Sequence, residues 1–186
     1  MAIPVMSGDS ATALVGRIAV ERRGAMTIKL DTIDRDIVKC LMRDGRKSSA
    51  AVARELDQVD RTVQYRIDRL IKSGVVEVVA LVVPQALGYN IIADIHCQVD
   101  IARINEVAET IAQFEEVGYV GCSTGDQDVS VQAYFESTTR MYEFITEKLG
   151  KLDGIRHTRT AVVPRVVKSI VDWSIPAERI TSPDDA

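Results

Sequence analysis

Arg61, Gln64, Tyr65, Arg69 and Lys72 fall close together in the chain. Together they offer guanidinium, amide, phenol and ammonium groups from one short segment. Arginine and glutamine can form paired hydrogen bonds with base edges, and spare cations can meet phosphates. Val63, Ile67, Leu70 and Ile71 recur at helical spacing between them, so the segment is a helix with one apolar stripe. With Val63 at the centre of that stripe, Arg61, Tyr65, Arg69 and Lys72 occupy the opposite face, flanked by Gln64 and Arg66. Such a face suits a DNA groove. A solvated charged face is the plainer use of the same pattern, so the neighbouring elements must decide.

Those elements favour the groove. Ile33, Ile37, Val38 and Leu41 mark a first helix, opened by Asp31 and Asp34 and closed near Asp44-Gly45. A short second helix follows, capped by Ser48 or Ser49, with Val52, Ala53 and Leu56 inward. A brief turn at Asp57-Gln58-Val59 leads into the cationic helix, which gives the spacing of a helix-turn-helix. After Gly74, the β-branched run from Val75 to Val83 predicts an extended wing or linker strand ended by Pro84.

From Tyr89 the period changes to two. Ile91, Ala93, Ile95, Cys97 and Val99 alternate with Ile92, Asp94, His96 and Gln98, a strand with one apolar face. Ile104, Val107, Ala108 and Ile111 predict a helix, 117–123 a second strand, and 124–127 a tight turn. Val129, Val131, Ala133 and Phe135 predict a third strand. Met141, Phe144, Ile145 and Leu149 predict a second helix, 155–163 a fourth strand, and 166–173 a last extended piece. Strand-helix-strand-strand-helix-strand is the ferredoxin-like order, an antiparallel sheet with both helices on one face. The open face would carry Ile92, His96 and Tyr134, and pairing with another subunit would bury it.

The fold class expected is therefore α+β: an N-terminal three-helix winged helix-turn-helix, a linker strand, and a C-terminal ferredoxin-like βαββαβ domain. The boundaries expected are a disordered extension over 1–26, a helix-turn-helix domain over 27–77, and a linker strand over 78–88. A dimerisation and effector domain follows over 89–175, then a tail over 176–186. Met26 offers an internal start. The 186-residue chain is 46% hydrophobic and 27% charged, an ordinary globular balance, and no apolar run reaches bilayer length. Its opening stretch lacks the layout of a secretory signal. Cys40, Cys97 and Cys122 are scattered and odd in number, as for reduced thiols in a cytoplasm. The formal charge of −4 gathers in the second half: residues 31–77 carry ten Lys/Arg against nine Asp/Glu, and 88–175 carry eight against thirteen. DNA senses the local field within about 8–10 Å, so the cations of one helix outweigh the total.

Several stretches, in this order, resemble the leucine-responsive/asparagine-synthetase (Lrp/AsnC) family of transcription regulators. They are Leu30-Asp31 with Asp34, Asp44-Gly45-Arg46, Thr62-Val63, and Arg66-Ile67-Asp68-Arg69-Leu70. Ser73-Gly74-Val75-Val76, Leu87-Gly88 and Thr124-Gly125-Asp126-Gln127-Asp128 complete the match. The resemblance implies double-stranded DNA as partner, dimers that assemble further, up to an octamer, and an amino acid or related metabolite bound between effector domains. It also places the Gly-Asp-x-Asp turn beside that effector. Two departures stand out: Asp57-Gln58-Val59 replaces the family's Gly, apolar residue and Ser, and Gln127 replaces an aromatic or aliphatic residue.

Arg61, Gln64 and Tyr65 are the expected base contacts. Arg66, Arg69 and Lys72, with Lys47, Ser48 and Ser49, are the expected phosphate contacts, Arg66 having a structural ion pair as its alternative. Thr124, Gly125, Asp126 and Asp128 are the expected effector residues, since a glycine turn exposes amides to a carboxylate and an aspartate can hold an ammonium group. No catalytic residue, metal site or cofactor is expected: His96 and His157 lack metal-type spacing, and no phosphate loop or nucleophile elbow is present. The competing readings are a ligand sensor that never touches DNA and an enzyme akin to the haem-precursor decarboxylases that resemble this family.

Overall fold

The computed structural model describes residues 28–180. The expected 1–26 extension, with Met26, and the tail beyond 180 lie outside the described residues. The chain divides into two units, one built on 28–81 with 167–180 and the other on 82–166.

In the first unit, helix α1 spans Thr32–Arg43. Asp31 and Asp34 form a reciprocal capping box: Asp34 N donates to Asp31 Oδ1 at 2.8 Å, and Asp31 N donates to Asp34 Oδ2 at 3.1 Å. Helix α2 spans Ser49–Leu56 and is capped by Ser48, whose Oγ accepts from Ala51 N. Asp57 ends it in the left-handed region at φ 52°, which an aspartate tolerates better than most side chains. Helix α3 spans Asp60–Lys72 and has Val59 at its N-cap with no side-chain bond. The acidic Asp60 in its first turn partly compensates through the helix dipole. Ile37, Val38, Cys40, Leu41, Val52, Ala53, Val63, Ile67 and Leu70 close the core between the three helices. Ile71, expected in the apolar stripe, is 43% exposed, so the buried line runs through 63, 67 and 70.

Three expectations differ here. The run 75–83 forms no strand, since β-propensity alone cannot make a ladder without a neighbouring strand to accept it. Residues 166–173, expected as an extended piece, are interrupted. They hold one 3₁₀ turn, Ile170–Asp172, closed by a Ser169–Asp172 capping box. Residues 167–180, expected in part within the effector domain and in part as a free tail, pack with the helices: Ile175 and Ile180 lie against their core and Ile180 bridges Leu30.

The second unit is a four-stranded antiparallel sheet in the order β2-β3-β1-β4, with β1 at Ile91–Val99, β2 at Val117–Cys122, β3 at Val129–Phe135 and β4 at Ile155–Val162. Helix α4 spans Ile104–Ile111, and α5 spans Thr138–Glu143 and continues into a π-helical turn at Phe144–Lys148. The period-two pattern sets which side is covered. Ala93, Ile95, Cys97, Val99, Val129, Val131, Ala133 and Phe135 are buried with Val107, Ile111, Phe144 and Leu149 of the helices. The other side carries Ile92, Asp94, His96, Gln132 and Tyr134, which are half-buried.

Candidate nucleic-acid interface and effector site

The cations of α3 fall into two groups. Arg66 Nη1 lies 2.7 Å from Asp31 Oδ2 and 2.9 Å from Asp34 Oδ1, and Arg69 Nη2 lies 2.5 Å from Asp34 Oδ2. Asp34 is 1% exposed, so this is a pairing drawn into the fold. Burial raises the Asp31 carboxyl, but the Asp34 amide and the Arg66 guanidinium outweigh it and hold the group below its ordinary value. Arg66 thus has the ion pair given as its alternative, and Arg69, expected at a phosphate, is paired with Asp34 while its side chain stays 37% exposed.

The second group stays outward. Arg61 and Lys72 are exposed, Tyr65 is 68% exposed, and among the described residues none of them has a side-chain partner. Gln64 is also exposed, its Nε2 donating to Asp68 Oδ1 at 3.0 Å. Of the residues expected at phosphates from the preceding turn, Lys47 is paired with Glu55, to which Arg43 also binds at 2.5 Å. Lys47, then the Cys40 thiol and Arg43, pull the Glu55 carboxyl down to about 2. Ser48 is occupied as the α2 cap, while Ser49 is the first residue of that helix.

In the second unit, three hydrogen bonds hold the β2–β3 turn. Gln98 Nε2 donates to Asp126 O at 2.9 Å, Ser123 Oγ donates to Gln127 O at 2.8 Å, and Asp128 N donates to Cys97 O at 3.0 Å. Gly125 has φ +132°, a conformation that a side chain would strain. A cavity of about 410 Å³ opens beside this turn, lined by Thr124, Asp126, His96, Arg159 and Gln127, with Ser123 and Ala161 completing it. His96 and Arg159 are direct partners across β1 and β4, which brings both to the same face, and His96 Nδ1 lies 3.3 Å from Ser130 Oγ.

Of the expected effector residues, Thr124 and Asp126 line the cavity, and Gly125 shapes the turn without lining it. Asp128 does not line it: its Oδ2 accepts from Val99 N at 2.8 Å, where β1 shifts register against β4, and lies 3.8 Å from Arg156. Arg159 was missed by sequence reading, because alternation along β4 places it outward without saying what it faces. A second cavity, of about 590 Å³, lies between Tyr89, Tyr134, Glu116 and the outer side of α5 with its π turn, and includes none of the expected residues. Among the described residues, no group of three or more His, Cys, Asp or Glu could hold a metal ion, and no helix is long and apolar enough to cross a membrane.

A helix-turn-helix and a ferredoxin-like sheet with a polar cavity, carried on one chain, define the class of transcriptional regulators that join a DNA reader to a ligand-binding domain. Comparison with known proteins narrows this. Residues 30–77 match the winged helix-turn-helix DNA-binding family, and residues 91–171 match the Lrp/AsnC ligand binding domain. An uncharacterised HTH-type transcriptional regulator of Pyrococcus horikoshii is 37% identical over 142 residues, covering 76% of this chain and 90% of that protein. Escherichia coli AsnC shares the fold at 20% identity with a TM-score of 0.70, over 77% of this chain and 99% of its own. A transcriptional regulator from Neisseria meningitidis, solved as an L-Met complex, does so at 22% identity with a TM-score of 0.72, over 80% and 97%. The chain belongs to the Lrp/AsnC family and is a DNA-binding transcriptional regulator.

Proposed function

We propose that this regulator reads specific duplex sequences through Arg61, Gln64 and Tyr65, near the start of α3, with Lys72 on a phosphate. The observation that carries the reading is the division of polar side chains on α3: Arg66 and Arg69 are paired with Asp31 and Asp34, whereas Arg61, Tyr65 and Lys72 remain solvent-facing. Ser49, and Ser48 and Lys47 where their internal partners release them, add contacts on the neighbouring phosphates.

The protein acts as a dimer or a larger ring of up to eight subunits, in the cytoplasm, and has no enzymatic activity of its own. Support for self-association comes from the half-open sheet face around Ile92, His96 and Tyr134 and from the 48%-exposed Tyr119 beside it. Two recognition helices then meet half-sites separated by about one helical turn of 10–10.5 base pairs, or a multiple of it.

The cavity beside the β2–β3 turn takes an amino acid. Asp126 accepts from its α-ammonium group, Arg159 grips its α-carboxylate as a planar fork, and Thr124 adds a hydroxyl. Such a ligand alters regulation only by binding one assembly or orientation better than another.

Selection from a pool of random duplexes with the purified full chain tests the reading. Enrichment of a two-fold repeated motif is the expected result. Recovery of unrelated sequences only, with no repeated motif, contradicts sequence-specific reading.

A further inference from the structure

A large apolar side chain stands at the start of α3 with nothing in the helical unit to hold it. Val59 and Tyr65, each 68% exposed, are the most exposed large hydrophobic groups on the three helices and the turns between them. Val59 belongs neither to the helical core nor to the partly buried apolar groups packed against it. It does not staple the helix entry either. That contact joins the residue before the N-cap to the fourth helical residue, and here those are Gln58 and Val63. As an N-cap, Val59 also forgoes the side-chain bond that Asp31 and Ser48 supply to α1 and α2.

Its surroundings narrow what such a group meets on a duplex. Residues at the start of a recognition helix face base edges in the major groove. Asp57 and Asp60 lie on either side of Val59 in the chain, and both are exposed, so this end of α3 repels a phosphate. The groups that base edges present in the major groove are donors and acceptors, except for the 5-methyl group of thymine. An isopropyl group set against a donor or acceptor strips its water and offers nothing in return. Against a methyl group it buries apolar surface on both partners. Arg61, two residues on and exposed, supplies the polar contact alongside.

We infer that Val59 is a specificity residue, which reads the 5-methyl group of a thymine in each half-site by van der Waals contact, beside the base that Arg61 meets. The inference rests on the reading of α3 as the helix that enters the groove. It also gives a reason for valine at a position where an oxygen-bearing side chain would hold the helix better.

Replacing each thymine of the selected duplex, one at a time, by deoxyuridine tests it, because this removes the methyl group and leaves the base pairing intact. In anisotropy titrations of the full chain, at least one thymine in each half-site should weaken binding about fourfold when replaced, the worth of one buried methyl group. Val59→Ser, which keeps the helix capped, should bind the thymine and deoxyuridine duplexes alike at that position. A wild type indifferent to every replacement overturns the inference and leaves base reading by Arg61 standing. So does a Val59→Ser variant that keeps the full fourfold difference. Failure of the selection to enrich any motif overturns base reading by α3 itself, and the inference with it.

Discussion

Asp34 Oδ2 lies 2.5 Å from Arg69 Nη2, and the carboxylate that makes this contact is 1% exposed. The first helix thus holds the third by a charge drawn into the fold, and the same carboxylate takes Arg66 through its other oxygen at 2.9 Å. This pairing orients α3 about its own axis. Arg61, Gln64, Tyr65 and Lys72 are left outward as a consequence.

Removing the shared carboxylate should therefore unlock the helix before it affects any DNA contact. Asp34→Ala is expected to destabilise the protein by roughly 3 kcal/mol, because it strands two arginines and also deletes half of the α1 capping box. Asp34→Asn, which can still accept from Asp31 N, should lose less. Urea denaturation followed by circular dichroism measures both.

The valine that opens α3 leaves an opportunity for stabilisation. Val59 is extended at φ −77° and ψ 128°, is 68% exposed, and caps nothing. Val59→Ser supplies an oxygen for the free amides of the first turn and should raise stability by about 0.5–1 kcal/mol. An unchanged or lower unfolding midpoint would show that the helix start is satisfied in some other way.

Acid should loosen the helix-turn-helix unit. The folded Glu55 carboxyl sits at about 2, against an ordinary value of 4.5, and Asp31 also lies below its ordinary 3.8. Groups lowered on folding contribute stability that is complete above their ordinary values and is lost as pH falls through the folded ones. The melting temperature should hold above pH 4.5 and fall progressively toward pH 2, and Glu55→Gln should flatten that fall. A melting temperature indifferent to acid over this window contradicts the assignment.

The cavity beside the β2–β3 turn makes a separate prediction. Asp126→Ala should abolish any thermal shift induced by an amino acid and leave DNA affinity in the unliganded state within about twofold, since the two sites lie in separate units. Arg159→Ala should do the same. Retention of the full shift in either variant shows that the ligand binds elsewhere.

Much of this architecture was legible in the sequence because its causes are local. The 3.6-residue recurrence of Val63, Ile67 and Leu70, the Asp31/Asp34 box and Ser48 each act within a turn or two of their own position. Period-two alternation from Ile91 to Val99 fixed which side of the sheet is covered. What escaped was long-range. Arg69 reads as one more outward cation until Asp34, 35 residues away, claims it. Asp128 reads as a ligand group, and the fold sets its Oδ2 on Val99 N, 29 residues away. Arg159 joins the cavity lining only once register places it beside His96. Ile175 and Ile180 form no periodic pattern, so nothing local marks them as cover for the helical core.

The most direct test of sequence reading by α3 is fluorescence anisotropy on the selected duplex and on a random one, titrated with salt, for the wild type, Arg61→Ala and Lys72→Ala. Arg61→Ala should lose about 1–3 kcal/mol on the selected duplex and little on the random one. Lys72→Ala should weaken both alike and reduce the salt slope by about one. Equal losses on both duplexes from Arg61→Ala, or a wild type that binds neither even in dilute buffer, would contradict the account.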